Sequence, residues 1–314
     1  MTVRTEPHPS TDPATAPAIP IALVGPTAAG KTEASLALAE RLDAEVLLID
    51  SMTVYRGMDV GTAKPSAEER ARVRHHLVDV ADPAAPFSVA EFQRLASAAA
   101  EDVTARGRLP FLVGGSGLYF RAIVDDLELP GTDPALRAGL EAEARALGPE
   151  RLHQRLSGFD PDAAAKMEPS NARRIVRALE VAALTGRPFS TFAGPWDRYP
   201  EGRVRAAGVT MAPEALRGRI EARARRQLDE GLLDEAGRIH GPTASQAIGY
   251  AEAAEHIAGR LTRDEVVERI ARRTWGLARR QLAWFRRDPR IRWFEADERG
   301  AAALVDELEE HYRT

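Results

Sequence analysis

The sequence has no cysteine at all, which excludes disulfides, thiolate metal sites and a cysteine nucleophile together. Lysine is nearly absent as well. Lys31, Lys64 and Lys166 are its only lysines, so almost every cation in the chain is arginine. Alanine and arginine rich in this way, the sequence reads as the product of a GC-rich genome. A lysine that survives that bias marks a position where a compact ammonium suits better than a planar guanidinium. No run of apolar residues approaches the roughly 18 needed to cross a bilayer, so no membrane span is expected. Residues 1–18, rich in Pro, Thr and Ala, lack the apolar segment of a signal peptide and read as a disordered tail. These absences together point to a cytoplasmic protein.

What is present suits an ordinary globular protein with two kinds of architecture. The 314 residues, 44% hydrophobic and 29% charged, are enough for a large α/β domain with an insertion. Short apolar runs at 21–24, 44–49 and 111–113, with a further candidate at 76–80, alternate with helical periodicity at 31–42 and 89–106. That rhythm predicts a parallel, doubly wound sheet. From about residue 125 the pattern turns helical, opening with Asp133-Pro134, a cap followed by a first-turn proline. It breaks at Gly148-Pro149 and again at 158–161. Residues 204–211 return to the sheet, and 213–287 are again mostly helical. The expected fold is α/β: a parallel core at 19–124 and 203–314, made P-loop NTPase-like by GPTAAGKT at 25–32, with an inserted helical domain at 125–202 and a helical C-terminal part.

The sharpest motif is GPTAAGKT at 25–32, which satisfies G-x-x-x-x-G-K-[ST] between a strand and a helix. Gly25, Pro26, Thr27, Ala28, Ala29 and Gly30 would curl so that backbone N–H groups face phosphate oxygens. Lys31 can reach the terminal phosphates and the Thr32 hydroxyl can ligate Mg²⁺. On its own the motif fits any ATP-binding or other nucleotide-binding protein. Asp50 closes the second strand, where ligands of open α/β sheets bind, and can serve as a base or as a simple turn residue.

The following stretch narrows the choice. DSMTVYRGMDVGTAKP at 50–65, together with GPTAAGKT, closely resembles the tRNA dimethylallyltransferases, the isopentenyltransferases that modify the adenosine 3′ of the anticodon. The likeness continues through VGGSGLYF at 113–120, RRIVRALEV at 173–181, RIEARARRQL at 219–228, AIGY at 247–250 and ARRQLAWFRRDPRI at 278–291. It implies transfer of a dimethylallyl group from dimethylallyl diphosphate to the N6 amine of that adenosine, with diphosphate released and Mg²⁺ as cofactor. By the same resemblance Asp50 is the general base, and the loop at 25–32 and Arg223 grip the diphosphate. Asp50, Ser51, Met52, Thr53, Ser116, Arg137, Arg173, Arg174 and Arg177 fall where the family meets the anticodon stem-loop of its tRNA. Two places depart from the pattern: Trp275-Gly276 stands for a basic or amide pair, and Ala251 for a basic residue. A monomer is expected.

A second RNA signal rests on spacing alone. Arginines at 269, 272, 273, 279, 280, 286 and 287 come with no acid among them. At 100° per residue, Arg272, Arg279 and Arg286 share a side opposite Ile270, Leu277 and Trp284. A solvated face normally interleaves acids as i,i+4 partners, so this stripe is read as a phosphate-binding surface. Two other readings compete with the transferase. A P-loop nucleoside or nucleotide kinase would share 25–32 and Asp50 but needs neither the 50–65 string nor the stripe. An RNA-binding NTPase switch would need a further acidic motif that the sequence lacks. His75 and His76 point apart on a strand and read as structural, and Lys64 as either a phosphate contact or a surface lysine.

Overall fold

The computed structural model describes residues 20–192, 198–241 and 243–314. The expected disordered tail lies outside them. Six strands form one all-parallel sheet: β1 Ile21–Val24, β2 Ala44–Ile49, β3 His75–His76, β4 Leu109–Gly114, β5 Arg205–Met211 and β6 Ile291–Ala296. Their spatial order is β3-β2-β4-β1-β5-β6. β1 is therefore central, with Ile21 opposite Phe111 on one side and Arg205 on the other. Ile21 and Leu23 enter the apolar layer under α1 (Lys31–Leu42), while Ala22 and Val24 enter the layer under α3 (Val89–Ala105). Burial on both faces explains why β1 reads as an unbroken apolar run rather than an alternating one.

β3, which follows the short α2 (Ala67–Arg72), is shorter than the run at 76–80 suggested. Leu77 and Asp79 take left-handed φ values of 66° and 59°, which end the ladder after His76. β6 has no counterpart among the strands expected from sequence. It is an edge strand whose Arg292 and Glu295 are exposed, and those charges hide its period.

Between α4 (Gly117–Val124) and β5 the chain forms α5 Pro134–Leu147, α6 Pro149–Phe159, α7 Pro161–Ala164 and α8 Ala172–Thr185. The Asp133 side chain accepts from the N–H groups of Ala135 and Leu136, so α5 starts where the Asp-Pro pair predicts. These helices share an apolar cluster of their own, including Leu140, Leu152, Leu156, Ile175 and Leu179. At their base a buried charge group joins the segment to the core. Arg290 pairs with Asp125 at 2.6 Å and Asp288 at 2.7 Å, and Arg121 pairs with Asp125 and donates to the Arg198 carbonyl. After β5 come α9 Pro213–Asp229, α10 Leu232–Arg238, α11 Tyr250–Ile257, the long α12 Arg263–Phe285 and, past β6, α13 Val305–Arg313. No described helix is long and apolar enough to cross a membrane.

Candidate active site

The loop after β1 reverses the chain at the sheet's switch point, where β4 and β5 diverge on either side. It needs glycine at its first position. A Cβ on Gly25 would lie 2.4 Å from the Val209 carbonyl oxygen, and its φ is +146°. Gly30, at φ +83°, caps α1, and Ala28 is held at φ 66°, a left-handed conformation that alanine rarely takes. The Lys31 ammonium folds across the loop and donates to the carbonyls of Gly25 at 3.0 Å and Pro26 at 2.7 Å. Burial lowers its pKa to about 8; Asp50 opposes that shift and Arg223 adds to it.

One cleft of about 420 Å³ gathers the expected chemistry. Thr27, Ala28, Gly30, Lys31 and Thr32 form one side, with Asp50, Thr53, Gly114 and Gly115 at the strand ends. Arg219, Arg223 and Arg226 of α9, Gln281 of α12, and Thr62, Ala63 and Pro65 complete the lining. Of the expected loop residues, Gly25, Pro26 and Ala29 do not line the cleft; Ala29 is fully buried in the core, and its carbonyl accepts from the Ala301 N–H.

Asp50 Oδ1 accepts from the N–H of Met52 at 2.8 Å and of Thr53 at 3.3 Å. No described group bonds Oδ2. Arg223 donates to the Thr27 hydroxyl at 2.8 Å, and burial lowers its pKa, with Asp50 opposing. Thr53 is 5% exposed, and its hydroxyl is the one buried side-chain polar atom without a partner among the described residues. Leaving a buried hydroxyl unpaired costs about 1–3 kcal/mol, which a polar ligand in the cleft would recover.

Two site residues escaped the sequence reading as individual contacts. The Gln281 carboxamide oxygen accepts from the Thr27 N–H at 2.8 Å, and Arg219 donates to the Ala28 carbonyl at 2.9 Å. Both lie in segments that resemble the family, but nothing in their spacing marks them, because their partners are backbone groups some 190 to 250 positions away in the chain.

The remaining expected contacts divide. Arg137 and Arg177, expected to meet RNA, both bind the fully buried Glu180, at 2.7 and 2.8 Å. Arg177 also donates to the carbonyls of Pro130 and Gly131. Both arginines therefore help to order these helices. Arg173 and Arg174 are exposed and make no ion pair among the described residues. Ser51 is exposed and Met52 half-buried beside Asp50; Ser116 caps α4, and the glycines before it, not Ser116 itself, line the cleft.

Arg272 and Arg279 on α12, and Arg286 just past its end, are exposed and unpaired among the described residues. The buried seam is Val267, Ile270, Thr274, Ala278 and Phe285, so only Ile270 of the expected apolar side belongs to it. Trp284 is 41% exposed and lies against Gly117, where a Cβ would come within 2.0 Å of its ring. Trp275, at one departure from the family pattern, carries the Arg217 guanidinium over its ring at 4.5 Å. Lys64 is neither a phosphate contact nor a surface lysine. Its side chain is 2% exposed and pairs with Asp59 and Asp79. His76 bonds Glu45 and His75 the Val73 carbonyl, both structural.

Comparison with known proteins agrees with this geometry. The sequence model of the family described as IPP transferase matches residues 53–288. A tRNA dimethylallyltransferase of Salinispora tropica is 51% identical over 289 residues, covering 90% of each chain. The crystal structure of the full-length tRNA isopentenylpyrophosphate transferase from Bacillus halodurans is 41% identical, with a TM-score of 0.66, and the match covers 93% of this chain and 95% of that one. A eukaryotic dimethylallyltransferase acting on tRNA, 24% identical, shares the fold with a TM-score of 0.72 over 92% of this chain and 77% of its own.

Proposed function

The chain belongs to the IPP transferase family, and from that premise we propose that it transfers a dimethylallyl group from dimethylallyl diphosphate to the N6 amine of the adenosine 3′ of the anticodon in tRNA. The observation that carries this reading is a carboxylate with one free oxygen, Asp50 Oδ2, sharing a single cleft with a phosphate loop and Arg223.

The chemistry needs each part. An adenine amine is a poor nucleophile because its lone pair is delocalised into the ring. Asp50, fixed by the Met52 and Thr53 N–H groups, takes a proton from that amine as the nitrogen bonds to the allylic carbon. The carbon–oxygen bond to diphosphate breaks, and the electron pair leaves with the diphosphate. Lys31, Arg223 and the loop N–H groups stabilise the charge that develops there. Arg219 and Arg226 bring the cations lining the cleft to four, against the single acid Asp50. The target base must leave its stack to reach a cleft this deep, which an anticodon loop allows more cheaply than a duplex.

Magnesium fits the donor set. Thr32 and Asp50 both line the cleft, and Mg²⁺ typically binds through one or two protein oxygens together with substrate phosphates. Thr32 would hold it, and it would offset negative charge on the leaving diphosphate. RNA contacts fall to Arg173 and Arg174 of α8, to Arg272 and Arg279 of α12 and to Arg286 just past its end, all exposed. We place the protein in the cytoplasm, acting as a monomer.

The kinase alternative shares the loop, and one experiment separates the two. Labelled dimethylallyl diphosphate is offered with unmodified tRNA and Mg²⁺, and ATP is offered in parallel with nucleosides. Label in RNA without ATP consumption is the expected result; phosphorylated nucleoside with unlabelled RNA would overturn it.

A further inference from the structure

The stretch of cleft wall at residues 62–65 belongs to no helix or strand, and it is held by side chains outside the cleft lining. Three successive N–H groups just before it, of Asp59, Val60 and Gly61, donate to Glu235 of α10 at 2.9, 2.8 and 3.0 Å. The Tyr250 hydroxyl donates to the same carboxylate at 2.5 Å. From α9, Gln227 donates to the carbonyls of Val60 and Gly61 at 2.8 and 2.9 Å. Glu235, Gln227 and Tyr250 are all at least nine-tenths buried. Gly61 is sealed under Tyr250, whose ring would lie 2.4 Å from any Cβ there. Lys64 ties the far end to Asp59, Asp79 and the Tyr55 carbonyl.

This is more fixing than a surface turn requires. A carboxylate that accepts four hydrogen bonds can be replaced by no other side chain of its size: glutamine would point an NH₂ at donors. Beyond the clamp, Ala63 and Pro65 are among the apolar residues, with Leu48, Val113 and Ala222, that line the same cleft as the phosphate loop. A diphosphate anchored on that loop would carry its hydrocarbon toward this wall.

Resting on the prenyl-transfer reading, we propose that Glu235 is a positioning residue that fixes the wall at 62–65 and so sets the length of hydrocarbon the donor may carry. Glu235 touches no substrate. It acts by holding the backbone of 59–61, and Tyr250 and Gln227 act with it.

The test compares the full chain with Glu235→Gln, Tyr250→Phe and Gln227→Leu. Each is assayed with dimethylallyl diphosphate and with the ten-carbon geranyl diphosphate, on the same tRNA. Glu235→Gln should reduce the preference for the five-carbon donor, as the ratio of kcat/KM values, by about ten-fold, the scale on which hydrocarbon pockets discriminate. Most of the change should appear in the donor KM, with tRNA Kd as in the parent. Tyr250→Phe, which removes one of the four bonds, should shift the ratio in the same direction by less.

A folded Glu235→Gln that keeps the parental donor ratio would overturn the proposal, as would equal loss of turnover on both donors with a lowered Tm, the signature of a merely structural carboxylate. If Glu235→Gln does not fold, an unchanged ratio in both other variants overturns it. A parent that prenylates tRNA with neither donor instead defeats the transfer reading, so the two failures are distinct.

Discussion

Lys31 carries the most direct pH consequence in the molecule. Burial holds its ammonium at about 8, well below the 10.5 of a free lysine. As pH rises through 8 the free protein loses a cation from the phosphate loop, so kcat/KM for the diphosphate donor should fall above that point. At saturating donor the anion favours the ammonium, and kcat should hold to higher pH. The sign for stability is opposite. Between about 8 and 10.5 the unfolded chain binds the proton that the folded one has released, so folding stability contributed by this group rises with pH. Urea unfolding across that window should show the rise in the parent and its absence in Lys31→Met. A donor kcat/KM flat from pH 7 to 10 would show that the lysine stays charged throughout. At this scale the sequence was legible where a residue's partner is a ligand or a near neighbour. Lys31, Thr32 and Asp50 could be named because a motif fixes them. Gln281 and Glu235 could not, because each binds the backbone of a segment far away in the chain. Arg137 and Arg177 look identical in sequence to Arg173 and Arg174, and only the buried Glu180 between them separates structural from exposed arginines.

Among elements, α12 joins two jobs. One side of it delivers Gln281 to the phosphate loop, and another, continued to Arg286 just past its end, presents Arg272 and Arg279 to solvent. If those three meet RNA phosphates, replacing each by alanine should reduce the magnitude of the slope of log K against log salt by about 0.7–0.9 per contact. The loss should be similar for different tRNAs, since phosphate contacts position without reading sequence. Turnover at saturating tRNA should hold near the parental value. An unchanged salt slope in the triple variant would identify the stripe as merely solvated. The helix itself was legible, but its seam was not. A seven-residue spacing placed Leu277 and Trp284 on the buried side, whereas packing selects Thr274, Ala278 and Phe285, at successive steps of four, four and seven from Ile270. β1, β2 and α1 were read to the residue, because parallel strands buried on both faces are continuous apolar runs. β6 was missed because an edge strand carries its charges on the strand itself.

For the whole molecule, the question is how the inserted helices are held to the sheet that bears the chemistry. Their own apolar cluster is separate from both layers of the sheet. The connection is the buried group of Arg290, Asp288, Asp125 and Arg121, where Arg290 also donates to the Pro200 carbonyl on the returning chain. Arg290 thus ties both ends of the insertion to the residues that follow α12. Arg290→Met would leave Asp288 without its ion-pair partner and Asp125 with Arg121 alone, both side chains under 5% exposed, and unfolding free energy should fall by about 3–5 kcal/mol. Chemical denaturation measures this; a change under about 1 kcal/mol would place the group among the surface pairs of little consequence. The insertion was visible in sequence as a change from strand-and-helix rhythm to continuous helix, but this junction was not, since its charges come from 121, 125, 288 and 290.

The central claim is that Asp50 takes the proton from the adenine amine inside the cleft where the phosphate loop holds the donor. Single-turnover transfer by Asp50→Asn, measured together with its tRNA Kd, tests it most directly. Asparagine keeps the oxygen that accepts from Met52 and Thr53, so the turn should survive, while the base is lost. The expected result is a transfer rate lower by about 10²–10⁴ with tRNA affinity within a few fold of the parent. Transfer at the parental rate by a folded Asp50→Asn would contradict the account.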